Sequence, residues 1–282
     1  MIKKAVIPAA GKGTRLLPAT HAQPKEMLPC GSKPTIQYVV EELKAAGIED
    51  IIIITGPEKG ALKDHLKKIK EKNGINLNFE YVEQKEPTGL AKAVGLAKKY
   101  IGNEPFIVAL GDTIIYSESN GDWLKRMVEL HEEKEAKVTI LLEQVEARDV
   151  SKYGIVRGNQ ISQKVWEIQD LVEKPNLQDA PSQLAICGRY IFEPEIFAAI
   201  NKTERGIDGE YQLTDTIKIL IEEGAEVWGL MQSEGEVCYD IGDPTSYALA
   251  FIELSLNDEK IGDALRKYLM KKYQVMKKSD VL

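Results

Sequence analysis

The chain has 282 residues, of which 43% are hydrophobic, and a formal net charge of −7. This length can build one large domain with a substantial core, and the acidic balance argues against a nucleic-acid-binding surface. Cys30, Cys187 and Cys238 are scattered without a CxxC pair, which argues against a disulfide framework or a zinc site and favours the reducing cytoplasm. No apolar run reaches membrane-spanning length, so no membrane segment is expected.

Short apolar runs alternate with helical patterns through the first half of the chain. The patterns predict strands at 5–10, 51–54, 77–82 and 105–110, and helices at 36–46, 62–72 and 89–100. This alternation predicts an α/β fold with a doubly wound, mainly parallel sheet. Because ligands bind beyond the carboxyl ends of such strands, the segments that follow them are candidate site loops.

The second half of the chain has a different pattern. Strands that extend or cover the sheet are predicted at 138–143, 154–157, 165–172 and 186–192, and helices at 213–222, 245–256 and 263–271. Thr214 or Asp215 is expected to cap the first of these helices. His21, His65 and His131 lack metal-like spacing and are interpreted as surface residues. Without a linker or an internal repeat, residues 1–282 are predicted to form one continuous unit.

The loop after the first predicted strand suggests a phosphate site. The apolar run that ends at Ala10 enters Gly11-Lys12-Gly13-Thr14-Arg15, and Lys25 follows ten residues later. A loop without bulky side chains exposes backbone N–H groups, which together with an Arg and a Lys suit an oligophosphate. Leu16 and Val6 stand where the Rossmann fingerprint and the P-loop, respectively, require glycine, so both motifs are excluded. The loop therefore indicates a nucleoside triphosphate.

Several further segments, in order, identify a family resemblance. They are PKEMLP (24–29), EPTGLAKAV (86–94), LGD (110–112), YGIV (153–156), VEKP (172–175), APSQLAICGRYIF (180–192), GEYQLTD (209–215) and YDIGDPTSY (239–247). With AAGKGTRLLPAT, they resemble the sugar-1-phosphate nucleotidylyltransferases, and most closely the UTP–glucose-1-phosphate uridylyltransferases. The resemblance covers nearly the whole chain, and several motifs in the right order are more specific than any one of them.

The resemblance implies a Rossmann-like nucleotidyltransferase fold and a cytoplasmic enzyme. Its expected reaction is Mg²⁺-dependent transfer of UMP from UTP to glucose 1-phosphate, which gives UDP-glucose and pyrophosphate. It also implies a nucleotide-binding half at 1–135, a sugar-binding half at 136–243 and C-terminal helices at 244–282. A homo-oligomer, either a dimer or a tetramer, is expected, with no nucleic-acid or membrane partner.

The same resemblance assigns roles to individual residues. Arg15, Lys25 and Lys174 are the expected catalytic cations, and Asp112 and Asp240, each at the end of an apolar run, are the expected Mg²⁺ ligands. The nucleotide is expected to contact Ala9, Ala10, Gly11, Gly13, Thr14, Arg15, Glu26, Gln84, Gly89 and Asp112. The sugar phosphate is expected to contact Gly154, Glu173, Lys174 and Gly188. The GEYQLTD segment is interpreted as structural.

Two other functions remain open at this stage. Gly111 stands where bacterial uridylyltransferases usually have proline and resembles the thymidylyltransferase branch, so dTTP is an alternative nucleotide. Rejecting one methyl group is worth only ~1–3 kcal/mol, which one sequence cannot settle. A non-catalytic nucleotide-sugar-binding regulatory subunit is the second alternative. Retention of Arg15, Lys25, Asp112, Lys174 and Asp240 together argues for turnover.

Overall fold

The computed structural model describes residues 2–57, 59–72, 76–117 and 122–279. Its strands are β1 (Lys4–Ala9), β2 (Pro29–Cys30), β3 (Lys33–Pro34), β4 (Asp50–Thr55), β5 (Asn78–Glu83), β6 (Phe106–Ala109), β7 (Thr113–Tyr116), β8 (Val138–Gln144), β9 (Gly154–Gln160), β10 (Val165–Glu173), β11 (Leu184–Phe192), β12 (Val227–Met231) and β13 (Val237–Asp240). Its helices are α1 (Thr35–Ala45), α2 (Gly60–Lys72), α3 (Leu90–Gly95), α4 (Lys98–Ile101), α5 (Asp122–Glu133), α6 (Ile196–Lys202), α7 (Leu213–Glu222), α8 (Pro244–Leu256) and α9 (Gly262–Ser279).

Within the described residues, nine strands form one mixed sheet in the order β5-β4-β1-β6-β11-β8-β12-β10-β9. The strands β5, β4, β1 and β6 are mutually parallel. On the other side, β11 runs antiparallel to both β6 and β8, while β12 is parallel to β8. The predicted α/β class with a mixed sheet is confirmed, and the parallel arrangement is concentrated in the first half of the chain.

The sheet is covered on both faces, which explains the unbroken isoleucine run of β4. Ile51 and Ile53 pack with α1, α2 and α5 on one face, whereas Ile52 and Ile54 pack with α3, α6 and α7 on the other. A strand buried on both faces needs apolar residues at consecutive positions, because successive side chains point to opposite faces. Helices on both faces make the sheet doubly wound, as predicted.

The order of the central strands determines where the loops meet. Because β1 and β6 are parallel neighbours, the Gly11 loop and the turn at Asp112 emerge at the same edge of the sheet. The antiparallel β11 then brings Gly188 to this edge, where its carbonyl accepts a hydrogen bond of 3.0 Å from the backbone N–H of Leu110. A separate ribbon of β7 and β13 pairs Asp240 with Thr113.

Three local predictions are wrong. The helix predicted at 89–100 is divided into α3 and α4, and α3 ends at Gly95, which packs closely against Ile200 of α6. The N-cap of α7 is Gln212, without a side-chain cap, so neither Thr214 nor Asp215 is the cap. Both lie within the first turn, because the helix begins at Leu213.

The third wrong prediction is the surface position of His131, whose side chain is buried. It lies on the inward face of α5 with Trp123, Leu124 and Met127. Its Nδ1 is 2.9 Å from Oγ1 of Thr139, and the two atoms form a hydrogen bond across to β8. The spacing between histidines does not indicate burial, because a histidine on the apolar stripe of a helix is buried whatever that spacing is.

The C-terminal helices pack beside the ribbon of β7 and β13. Ala250 and Leu254 of α8 form a small core with Cys30, Ile114 and Ile241, and α9 packs against α8. α9 continues to Ser279, beyond the predicted end at residue 271. Within the residues that the structure describes, no helix is both long and apolar enough to cross a membrane.

Candidate active site

The Gly11 loop is folded back on Lys25. Gly13 has a φ of +66°, and its carbonyl accepts a hydrogen bond of 2.8 Å from Oγ1 of Thr20. A Cβ placed on Gly13 would lie 3.0 Å from Cγ2 of Thr20, so both the backbone conformation and the space require glycine. A Cβ on Gly11 would lie 3.8 Å from Nζ of Lys25. The loop therefore passes directly over the Lys25 ammonium group.

Lys25, Asp112, Asp240 and Arg15 meet at this edge of the sheet. The ammonium group of Lys25 forms an ion pair with Oδ2 of Asp112. The carbonyl of Asp112 accepts a 2.9 Å hydrogen bond from the N–H of Ile241, which fixes Asp240 beside it. A Cβ on Gly242 would approach both Asp240 and the Arg15 guanidinium group, at 2.8 and 3.2 Å. Two carboxylates and two cations are thus grouped here.

The two carboxylates have opposite pKa shifts. Burial would raise the pKa of Asp112, but its ion pair and hydrogen bond with Lys25 hold that pKa below the ordinary value. Burial, followed by the charge of Asp112, raises the pKa of Asp240 to about 6 despite the nearby Lys25 and Arg15. Repulsion between neighbouring carboxylates is the usual origin of such a pair of shifts. A cation placed between the two carboxylates would relieve this repulsion.

Glu26 lies behind this group and not in a cleft. Its side chain is buried and forms an ion pair of 2.7 Å with Lys59. Burial raises the pKa of Glu26, although Lys59 and Lys25 oppose the rise. Glu26 therefore holds Lys59 in place at the wall of the neighbouring cleft.

A cleft of about 630 Å³ opens on one side of the Gly11 loop. Its walls are residues of the Gly11 loop and of the segments after β4 and β5, including Ala10, Gly11, Lys12, Gly56, Lys59, Gln84 and Lys85. Gln84 is buried, and its Nε2 donates a long hydrogen bond of 3.5 Å to the carbonyl of Gly89. An amide at this depth offers both a donor and an acceptor to a planar ring.

A second cleft has a volume of about 180 Å³. Glu173 and Thr214 form part of its wall, and Oε2 of Glu173 accepts a hydrogen bond of 2.8 Å from Oγ1 of Thr214. A Cβ on Gly154 would come within 2.7 Å of Cγ2 of Thr214, so glycine is needed there. Gly188 has a φ of +59° and packs against Thr113. Arg15, Asp112 and Asp240 also line this cleft, which connects it to the charged group.

The expected site residues are therefore distributed over distinct places. Ala10, Gly11 and Gln84 line the larger cleft, whereas Arg15, Asp112, Gly154, Glu173, Gly188 and Asp240 line the smaller one. Ala9, Gly13, Thr14, Lys25, Glu26 and Gly89 lie next to these walls in the chain but are not part of them. Lys174 lines neither cleft: its Nζ is 3.8 Å from both Glu173 and Asp208, at a backbone φ of +42°.

Comparison with known proteins identifies the family of this chain. The family model described as nucleotidyl transferase matches residues 4–257. The chain belongs to the nucleotidyl transferase family.

A UTP–glucose-1-phosphate uridylyltransferase of Staphylococcus saprophyticus is 42% identical over an alignment of 288 positions. The alignment covers 96% of this chain and 98% of the relative. A solved UDP-glucose pyrophosphorylase complexed with UDP-glucose has a TM-score of 0.82 at 39% identity, covering 89% of this chain and 97% of that one. A UTP-bound enzyme from Acinetobacter baumannii has a TM-score of 0.83 at 32% identity, covering 96% and 99%.

Several residues that line the clefts are not among the predicted site residues. Lys59 lines the larger cleft, and Glu143, Lys152, Tyr153, Cys187, Thr214 and Cys238 line the smaller one. The interpretation of GEYQLTD as structural is incomplete. Three of its residues, Gln212, Leu213 and Thr214, line the smaller cleft. The buried ion pair of Lys59 with Glu26 has no local sequence signal, because the two residues lie far apart in the chain.

Proposed function

We propose that this protein transfers UMP from UTP to glucose 1-phosphate and forms UDP-glucose and pyrophosphate. The observation that carries this proposal is the contact of Lys25 with one wall residue of each cleft, namely Gly11 of the larger cleft and Asp112 of the smaller one. Arg15 and Asp240 lie beside Asp112. UTP is assigned to the larger cleft and glucose 1-phosphate to the smaller one. The similarity to uridylyltransferases supports the choice of both substrates.

In the proposed reaction, a phosphate oxygen of glucose 1-phosphate attacks the α-phosphorus of UTP. The new P–O bond forms as the bond from the α-phosphorus to the bridging oxygen of pyrophosphate breaks, and pyrophosphate leaves with that electron pair. The nucleophile is already an anion, so no general base is needed. The barrier comes from bringing two anions together in line, and fixed cations lower it.

The side chains have complementary tasks in this proposal. Lys25, whose side chain contacts a wall residue of each cleft, neutralises charge between the α-phosphate and the incoming sugar phosphate with its compact ammonium group. The planar guanidinium group of Arg15 suits the departing pyrophosphate. Glu173 can accept hydrogen bonds from vicinal sugar hydroxyl groups, since burial and its contact with Thr214 fix its orientation. Lys174, outside both clefts here, is proposed to reach the sugar phosphate from their rim.

Asp112 and Asp240 fit a hard divalent cation. Both offer carboxylate oxygens, the ligands that Mg²⁺ prefers, and burial together with the charge of Asp112 raises the pKa of Asp240 to about 6. We therefore propose that these two residues hold Mg²⁺. When bound, the ion would neutralise phosphate charge.

Gln84 and the backbone near Gly89 are proposed to read the uracil ring. The amide of Gln84 can pair with the imide edge that uracil and thymine share, so it does not by itself reject dTTP. A Cβ on Gly111 would meet atoms of Ile7, Pro8 and Glu26 at 3.2 to 3.3 Å. Glycine fits this packing without displacing the three neighbours, so Gly111 does not by itself favour dTTP.

The deciding experiment is pyrophosphate release with Mg²⁺ and glucose 1-phosphate, with UTP and dTTP offered separately. We expect strong preference for UTP, with formation of UDP-glucose confirmed by mass. Equal or better use of dTTP would contradict the assignment and favour the thymidylyltransferase. Release with neither nucleotide would contradict it as well, and binding of UDP-glucose without turnover would then indicate the regulatory subunit.

We also propose that the protein is a cytoplasmic homo-oligomer. Its three cysteines are free thiols, as suits a reducing compartment. The helices α8 and α9 expose a group of large apolar side chains, namely Leu249, Phe251, Ile252, Tyr268, Leu269, Met270 and Tyr273. Exposed large apolar side chains on two adjacent helices are typical of a subunit interface, so a second copy of this chain is the proposed partner.

A further inference from the structure

A cluster of two thiols and one carboxylate lies at the base of the smaller cleft. It consists of Glu143 on β8, Cys187 on β11 and Cys238 on β13, and their sulfur and carboxylate oxygen atoms all lie within 4.8 Å of one another. Sequence spacing could not show this cluster, because each residue comes from a different strand. All three residues line the cleft, which gives the cluster access to solvent.

The three groups lie close together, and the pKa of each is raised. The Sγ atom of Cys238 lies within 4.8 Å of both the Glu143 carboxylate and the Sγ atom of Cys187, and Nε2 of Gln232 is 3.2 Å from Sγ of Cys187. Burial raises the pKa of Glu143 to about 7 and raises the pKa of Cys187 as well. The neighbouring Cys187 thiol, followed by burial, raises the pKa of Cys238.

The nearest guanidinium group is not free to pair with them. Arg189, fully buried, donates to both carboxylate oxygens of Glu42, at 2.8 and 2.7 Å, and to two backbone carbonyls. Among the described residues, Glu143 has no ion pair with a lysine or an arginine. Two thiols and a carboxyl group that lie this close together offer three ligand atoms to a metal cation.

The geometry is close to that of a bound zinc ion. Zinc lies at about 2.3 Å from thiolate sulfur and about 2.0 to 2.2 Å from carboxylate oxygen, so tetrahedral ligands are separated by roughly 3.5 to 4 Å. The observed limit of 4.8 Å means that small side-chain movements would complete the site. Three protein ligands leave a fourth position, which would face the cleft.

We propose that Glu143, Cys187 and Cys238 bind a borderline or soft divalent cation of the Zn²⁺ class. Thiolate ligands select such ions over Mg²⁺, whereas Asp112 and Asp240 offer oxygen ligands alone. The site is therefore separate from the proposed Mg²⁺ site in its ligand chemistry, although both line the same cleft. Binding displaces the protons of the two thiols, and of Glu143 where it is protonated, to solvent.

A consequence for activity follows, and it rests on the proposed function. Cys187 is adjacent to Gly188, and Glu143 and Cys238 share the wall of the smaller cleft with Glu173 and Gly154. An ion at this place would occupy the space assigned to glucose 1-phosphate. Zn²⁺ is therefore expected to inhibit competitively with the sugar phosphate and not with UTP.

Binding can be measured without any assay of activity. The metal-free protein, kept reduced by a phosphine, is titrated with Co²⁺ or Cd²⁺ in the presence of excess Mg²⁺. We expect a sulfur-to-metal charge-transfer absorption that saturates at one ion per chain and is reversed by Zn²⁺ in the case of Co²⁺. Cys238→Ser, at a half-buried position, should abolish the band, and Glu143→Gln should weaken binding by at least about tenfold.

Two variants serve as controls. Cys30→Ala removes a buried thiol that lies in another core cluster, beside Thr35, and should leave the absorption unchanged. Asp240→Asn weakens the oxygen pair and should also leave it unchanged. The absence of a band, or its survival in Cys238→Ser, would overturn the proposal. A band without inhibition of turnover would support the metal site and count against the assignment of this cleft to the sugar phosphate.

Discussion

Lys25 contacts a wall residue of each cleft, and in this state its ammonium group is paired with Asp112. Burial would lower the pKa of Lys25, but Asp112 and Glu26 raise it above the ordinary value, so the group stays protonated throughout the neutral range. The charge of Lys25 is therefore available at every pH at which the substrates are anions. It is held ready by carboxylates and does not have to be acquired on binding.

We expect Lys25→Ala to lower kcat by about 10²-fold or more, because a fixed cation at the reacting phosphates is lost. Initial rates of pyrophosphate release at varied UTP and glucose 1-phosphate measure this effect. Lys44→Ala is the matched control, since Lys44 is exposed at the end of α1. A kcat within about threefold of the parent, with only KM changed, would show that Lys25 merely binds substrate.

Glu143 gives a pH-dependent contribution to stability. Its pKa is raised in the folded state from 4.5 to about 7, so the folded protein binds this proton more tightly than the unfolded chain does. The stability that this proton contributes is fully present below pH 4.5 and is lost as the pH rises through about 7. Glu143→Gln should thus be more stable than the parent at pH 8, by up to about 3 kcal/mol, and similar to it at pH 4.5.

Urea denaturation of both proteins with a chelator present, at pH 4.5, 6 and 8, tests this expectation. The chelator excludes stabilisation of the parent by a bound metal ion. An equal difference in the free energy of unfolding at all three pH values would mean that the carboxyl group keeps an ordinary pKa.

Among the elements, β11 carries the most varied set of tasks. Three consecutive residues contribute a thiol to the base of the smaller cleft, a glycine to its wall and, in Arg189, a buried guanidinium group beneath it. Arg189 joins β11 to α1 through Glu42 and to β7 through the carbonyl of Thr113, next to Asp112. Glu42 also accepts a 2.9 Å hydrogen bond from Trp123 of α5. This network fixes the strand ends that present the site.

Arg189→Met should lower the free energy of unfolding by about 3 to 5 kcal/mol, because it leaves the Glu42 carboxylate buried without its partner. The double variant Arg189→Met/Glu42→Gln should lose clearly less, since the buried charge is then absent as well. Urea denaturation of the parent, both single variants and the double variant forms a double-mutant cycle. Additive losses would show that the two side chains do not stabilise one another.

Periodicity predicted the elements of the sheet well and their ends poorly. The isoleucine run of β4 and the apolar stripe of α1 are visible because each repeats over several residues. The break after Gly95 depends on a close approach to Ile200, and the lack of a side-chain cap on α7 depends on where the chain arrives from β11 and α6. These are tertiary effects, and no local pattern contains them.

The site was predictable to the extent that its residues belong to motifs. Gly11, Arg15, Lys25 and Asp112 follow strand ends, and parallel order brings such ends together. Thr214 reaches the smaller cleft from the first turn of α7, although nothing in its local sequence indicates this. The three ligands of the thiol cluster come together only through the pairing of β11 with β8 and of β13 with β7.

At the scale of the whole molecule, the exposed apolar surface of α8 and α9 bears on assembly. Leu249→Glu and Met270→Glu each place a charge in this surface and should shift the proposed oligomer towards monomer, as measured by sedimentation velocity. Leu177→Glu is the control, because Leu177 is 59% exposed, as is Leu249, but lies on the loop between β10 and β11. An unchanged sedimentation coefficient in both variants would place the subunit contact elsewhere or show that the protein is a monomer.

The two clefts are built from different stretches of the chain. In the part that the structure describes, the larger cleft is lined by residues between 10 and 87, and the smaller, apart from Arg15, by residues between 90 and 240. Under the proposed assignment of the clefts, preference for the base and preference for the sugar are inherited on separate segments of the gene. A recombination between related genes near codon 90 would then exchange the sugar 1-phosphate while leaving the nucleotide unchanged, which would give this fold a simple route to new nucleotide sugars.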